Sequence, residues 1–304
     1  MLYILSRLSS GLAIAGLLVA SSVAYAQTPA DSLARIRQTQ TITIANREAS
    51  RPFSFVDEKG QASGYSVELC QRVVERLRKD LKLPNLKAQY ITVSGAERIP
   101  KIKSGEADME CGSTTNTKAR QEQVSFSYTI FVAGMKILTR KNSGITDLRT
   151  ITNGSIALSK GTTSEKLFSQ LRDQELRTTE LKSYPSNTEA LKALQAGKAV
   201  AFPQDDVLLS GLLSTLPDRD QYALAGDYLS IEPYAIMVRK DDNELRSAID
   251  KTLVELYASG EINRIYDKWF NTSSLQVPMS RLTREAFTRP AKDSGFAKVL
   301  GYTL

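Results

Sequence analysis

The sequence predicts an α/β protein of two lobes, each built on a mainly parallel sheet with flanking helices. Three observations point there. From Gln38 onward short β-rich runs alternate with helical stripes, the rhythm that builds parallel sheets covered by helices. That rhythm stops at an extended stretch, Phe131 to Thr139, and restarts beyond it. A second extended run, Pro233 to Val238, precedes a long helical segment between Asn243 and Phe270 that reads as returning to the first lobe.

The chain opens with Arg7, an apolar run from Leu8 to Ala20, and Ala24-Tyr25-Ala26. This pattern predicts a signal peptide over residues 1–26, cleaved after Ala26. The run is shorter than the roughly 20 residues a bilayer needs, and no cysteine lies near Ala26 for lipid attachment, so a soluble periplasmic protein is expected. Removing 26 of the 304 residues leaves 278, enough for two lobes with real cores.

In the first lobe Thr41 to Ala45 reads as a strand, and Val67, Cys70, Val73, Val74, Leu77 and Leu81 form a helix stripe. Lys87 to Val93 is a second strand, Ile99 to Lys103 a helix, and Asp108 to Cys111 a short strand. The second lobe has strand Ser155 to Leu158, helices Ser164 to Leu171 and Thr188 to Ala196, and strand Ala199 to Phe202. The tail after Asn271 is basic and reads as irregular, with no recognisable motif.

Apolar residues at 41% and charged residues at 24% exclude disordered and fibrous classes. The net charge of +7 falls to +6 with the leader and is spread along the chain, so no nucleic-acid partner is expected. There is no histidine, which removes Ser/His/Asp and Cys/His nucleophiles and His-based zinc sites. No phosphate-binding loop and no G-x-G-x-x-G is present, so no cofactor, metal or catalytic residue is predicted. Cys70 and Cys111 fit either one disulfide or two separately buried thiols.

Ligands of open α/β sheets sit beyond the carboxyl ends of strands. The segments after the first-lobe strands carry Asn46-Arg47, Ser94-Gly95 with Arg98, and Gly112-Ser113-Thr114-Thr115 with Arg120. The second lobe offers Lys160-Gly161-Thr162-Thr163 and Gln204-Asp205-Asp206. A free amino acid needs a cation for its carboxylate and an anion for its ammonium, because a buried charge persists only when paired. Arginine suits the carboxylate through its planar fork. Gly161-Thr162-Thr163 also reads as a plain helix start, with Thr163 as the cap.

Asn46 to Phe55 followed by Gly64-Tyr65-Ser66 resembles the opening of periplasmic family 3 solute-binding proteins of amino-acid ABC importers. Arg98-Ile99-Pro100, Glu110 to Asn116, Ser159 to Glu165, Ala196 to Asp206 and Asp267-Lys268-Trp269-Phe270 are most similar to the glutamate/aspartate binders. The resemblance runs from about Asn46 to Phe270. It implies the two-lobed type II periplasmic binding protein fold, with crossing segments near Ala133-Gly134 and Ala235-Ile236 as a hinge. Lobe one is then residues 27–134 with 236–278, lobe two 135–235, and the tail 279–304. Carried over residue by residue, Arg120 with Ser113 and Thr115 would hold the α-carboxylate. Asp205 with Thr162 would hold the ammonium, and Arg47 and Arg98 a distal carboxylate. Two positions depart from the pattern: Gly95 stands where those binders carry Ser, and Asn187 where they carry His, though an Asn amide still donates.

The resemblance implies a monomer that binds an L-amino acid and delivers it to a membrane permease. Three arginines and one aspartate leave the cleft at +2, which favours an acidic ligand over a neutral one. The alternatives are a neutral polar ligand such as glutamine and a cyclohexadienyl dehydratase-like enzyme with Asp205 or Asp206 as general acid. The arginines are expected to keep such an acid ionised and idle.

Overall fold

Two long strands, Val124–Arg140 and Ile231–Arg239, form the frame on which both lobes hang. The structure, a computed structural model, describes residues 31–172, 176 and 178–292; the expected signal peptide lies outside them. From Val124 to Gly134 the first strand pairs antiparallel with Ile231–Arg239, and from Met135 onward it pairs instead with Ala201–Asp205 and, from Ile137, with Tyr222–Ala225. On one side Ile231–Arg239 passes to Met109–Glu110, then to the parallel strands Thr41–Arg47 and Lys87–Val93. On the other, Ala201–Asp205 adjoins Ser155–Ser159, which pairs in parallel with Glu180–Tyr184. Each lobe is thus a mostly parallel sheet, with the antiparallel crossing strands between them. Val124–Arg140 is buried nearly throughout, which its run of Val, Phe and Ile anticipates for a strand covered on both faces.

The motif residues at the two ends of the chain meet in one aromatic core. Phe53, Tyr65, Phe131, Tyr234, Tyr266 and Phe270 pack edge to face and stacked, with Phe53 and Phe270 ring centroids 5.3 Å apart. Trp269 lies beside Phe55 and donates to Glu68 at 2.7 Å. Lobe two has largely aliphatic cores, around Leu138, Leu191 and Leu194 on one face of its sheet and Ile156 and Leu158 on the other. Cys70, in helix Tyr65–Asp80, and Cys111 form a disulfide with Cα atoms 6.3 Å apart. It closes a loop of 41 residues, which by chain entropy stabilises the fold by about 4 kcal/mol.

The segment from Asn243 to Phe270 is two helices, Asn243–Ala258 and Glu261–Phe270, separated at Gly260, whose φ of +73° is left-handed. The tail is not irregular throughout: Arg281–Thr288 is a helix capped by Ser280, and its Leu282 and Ala286 pack on Val132 and Ile231. Its apolar face is short and interleaved with arginines, which hid it. Glu180–Tyr184 is a further strand that the apolar rhythm does not predict, because its alternation is polar on a sheet edge. Among the described residues no helix is long and apolar enough to cross a membrane.

Candidate functional site

One small cavity between the lobes is lined by Arg47, Arg98, Ser113, Thr115, Arg120, Thr162, Asn187 and Asp205, every residue singled out for the ligand, together with Thr163, Gln204 and Leu208. Arg47 ends strand Thr41–Arg47, and Arg98 begins helix Arg98–Ser104. Ser113 and Thr115 follow strand Met109–Glu110, and Arg120 lies in the short helix Lys118–Gln121. From lobe two, Thr162 caps helix Thr163–Leu171, Asn187 opens helix Asn187–Gln195, and Asp205 ends strand Ala201–Asp205. The lining follows the rule that strand ends and helix starts converge on one cleft. The cavity has room for roughly one water, so the lobes meet here, and a wider groove that shares Arg120, Thr162 and Thr163 opens beside it.

The closure runs through backbone. Arg98 donates to Thr114 Oγ1 at 2.8 Å and to the Gly161 carbonyl at 3.0 Å. Arg120 donates to the Thr115 carbonyl at 2.9 Å and to the same Gly161 carbonyl at 3.2 Å. Two lobe-one guanidiniums thereby share one lobe-two oxygen. Gly161 has φ +77°, and a Cβ there would fall 2.7 Å from Ala96 Cα. A Cβ on Gly95 would fall 2.6 Å from the Lys160 carbonyl. This gives the departure at Gly95 a steric reason: the loops meet where no side chain fits.

Asp205 accepts from the Tyr234 hydroxyl through Oδ2, while Oδ1 is buried without a hydrogen-bond partner. Burial pushes the Asp205 carboxyl well above the usual carboxylate range, and Glu232 adds to the push. That reverses the expectation that neighbouring arginines keep it low. Asn187 accepts from Gln204 Nε2 at 2.9 Å, and Gln204 Oε1 in turn takes the Asp205 N–H at 3.0 Å. The pairing commits the Asn187 carbonyl and leaves its NH2 group as the donor. Burial pulls the Arg47 and Arg120 guanidiniums down to about 10 and about 9, with the like charge of Arg98 next in weight. Both stay cationic at neutral pH.

Two expectations at the loops need correction. The helix cap is Thr162, not Thr163: Thr162 Oγ1 accepts from Glu165 N at 3.2 Å and gives its proton to the Ser159 carbonyl. Thr163 instead donates to Glu232 Oε2 at 2.9 Å, and Thr115 donates to the same oxygen at 2.6 Å. The charge count also stops short, because sequence reasoning missed Glu110 and Glu232, both fully buried. The lining itself keeps the three arginines and Asp205 of that count, and Glu110 and Glu232 behind it bring the formal sum from +2 to zero. Glu110 was discoverable, since it stands at a strand end directly before the polar loop. Glu232 lay inside an apolar crossing strand and gave no such signal.

Residues 42–272 match the family of bacterial extracellular solute-binding proteins, family 3. The chain is similar to the L-glutamate/L-aspartate-binding protein of Pseudomonas aeruginosa, with 38% identity covering 91% of this chain and 93% of that one. It is likewise similar to the glutamate/aspartate import solute-binding protein of Escherichia coli, at 35% identity covering 85% of this chain and 87% of that one. The crystal structure of the cysteine-binding protein from Campylobacter jejuni superposes with a TM-score of 0.71 at 25% identity, covering 86% of this chain and all of that one. With its two α/β lobes, its closed cleft and a match spanning most of its length, the chain belongs to the bacterial extracellular solute-binding proteins, family 3.

Proposed function

We propose that the chain is the substrate-binding component of an amino-acid ABC importer, taking glutamate or aspartate in the periplasm and presenting it to a membrane permease. The observation that carries this is the opposition, across one cavity, of three buried arginines and the unpartnered Asp205 Oδ1. A carboxylate held above its usual range by burial is a buried anion that gains from a cation, and an α-ammonium supplies one. Arg120 and Ser113 take the α-carboxylate, Asp205 takes the ammonium, and Arg47, Arg98 and the Asn187 amide take the distal carboxylate. The names of the relatives at 38% and 35% identity agree with this reading. On it the chain binds and releases its ligand without transforming it. The lobes swing about Gly134–Met135, where the first crossing strand changes partner, and about the start of the second at Ile231, in place of Ala235-Ile236, since Ala235 pairs with Thr129 within lobe one.

Titration calorimetry of ligand-stripped protein against the twenty amino acids tests the assignment. Glutamate or aspartate should bind tightest; tighter glutamine would sink it. Arg47→Met and Arg98→Met should each weaken glutamate by on the order of 3 kcal/mol, about a hundredfold, and glutamine far less. An unchanged glutamate-to-glutamine ratio would make these arginines structural.

A further inference from the structure

Glu110 is a buried carboxylate that the binding scheme leaves unused. It ends the two-residue strand Met109–Glu110, one residue before the disulfide-bonded Cys111. It is fully buried, and neither carboxylate oxygen has a hydrogen-bond partner. Its position is fixed by the glycine two residues on. A Cβ on Gly112 would sit 2.1 Å from Glu110 Oε1 and 2.8 Å from Arg47 Cγ. The carboxylate and the Arg47 stem therefore share the space that Gly112 leaves open. Burial pushes the Arg47 and Arg98 guanidiniums down, and Glu110 is the acidic group that offsets it most for both.

We infer that Glu110 is a specificity-determining residue, the built-in counter-charge of Arg47 and Arg98 that sets how much negative charge the distal end of the cleft accepts. The inference rests on the reading of those two arginines as the distal-carboxylate site. Two guanidiniums alone present +2 to a ligand side chain. With Glu110 beside them they present +1, which one carboxylate neutralises. A carboxamide leaves that charge unpaired, and a dianionic group overshoots it. Unpaired or excess charge in a desolvated cleft weakens binding, so the acid sets a match to a monoanion. Glutamate pays for this in part, because its distal carboxylate must approach a carboxylate of the protein.

The test is titration of glutamate, glutamine and the phosphonate analogue 2-amino-4-phosphonobutanoate against wild type, Glu110→Gln and Glu110→Asp at fixed pH and salt. Glu110→Gln should raise the glutamate-to-glutamine affinity ratio about tenfold and the phosphonate-to-glutamine ratio further. Glu110→Asp, which keeps the charge, should hold both ratios within about twofold of wild type. Glu110→Met is the second neutral variant, and ligand-induced shifts of Tm report the same ratios where a variant is too unstable to titrate. A ratio that stays put or falls in the neutral variants overturns the inference. Should wild type itself fail to prefer an acidic ligand, the binding assignment falls instead, and the same titrations show which has failed.

Discussion

The two faces of the cleft differ in what they bring to it. Lobe one contributes three guanidiniums on segments held from behind by an aromatic core and by the Cys70–Cys111 disulfide, whose second half-cystine adjoins the Gly112 to Thr115 loop. Lobe two contributes a backbone carbonyl, a capped helix start and Asp205, backed by smaller aliphatic cores. Cations are thus concentrated on the heavily cross-braced lobe, and the acid that lines the cavity opposite them, Asp205, sits on the other. A ligand carrying both signs has to touch both faces, so its binding energy is coupled to closure.

Breaking the lobe-one side should cost most. On the proposed scheme Arg120→Ala removes the fork for the α-carboxylate, a group every amino acid shares, and should weaken all amino-acid ligands by roughly 3–5 kcal/mol. Affinity retained to within about 1 kcal/mol in calorimetry would refute that role.

Lobe two is tested by Asp205→Asn, expected to weaken all ligands by roughly 2–3 kcal/mol, since an amide dipole replaces the anion facing the ammonium. The pH dependence sharpens it. The carboxyl is raised by burial, and Glu232 reinforces this. Wild type should therefore lose affinity on acidification through a range above that of an ordinary carboxylate, and the asparagine variant should not. Stability runs the other way. A raised carboxyl favours the protonated folded state, so ligand-free wild type gains stability as pH falls through the raised value toward 3.8. The variant should melt higher than wild type at neutral pH; a lower Tm would contradict this. Asp206, which accepts from Gly134 N at 3.2 Å and from the Tyr228 hydroxyl, serves as the control one residue away.

The smallest effect should come from the contact between the faces. Gly161→Ala puts a Cβ against Ala96 and should hold the loops apart. Stopped-flow release should quicken about tenfold, near 1.4 kcal/mol, with association little changed. An unaltered release rate would mean closure does not depend on this approach.

The sequence made the lobe order, most first-lobe elements and eight of the eleven lining residues legible, because strand ends and glycine-rich turns are local signals. It concealed what depends on distant partners. Nothing near Glu232 announces that Thr115 and Thr163 will both donate to it. Its charge is hidden for the same reason, whereas Glu110, at a strand end directly before the polar loop, is open to a local reading. Thr162 and Thr163 are equally good caps in isolation, and only the turn set by Gly161 decides between them.

The tail helix has a consequence outside ligand binding. Pro233, opposite Val132 in the crossing pair, has no N–H to give, so the Val132 N–H and carbonyl point toward the outer edge of the strand. The Thr283 hydroxyl meets both there, accepting at 3.2 Å and donating at 3.4 Å. An uncovered strand edge is a template for pairing with another chain. Helix Arg281–Thr288 therefore acts as an edge cover, with arginines on its flank to repel a second copy. A protein cut back before Ser280 would carry its aggregation risk at its own hinge.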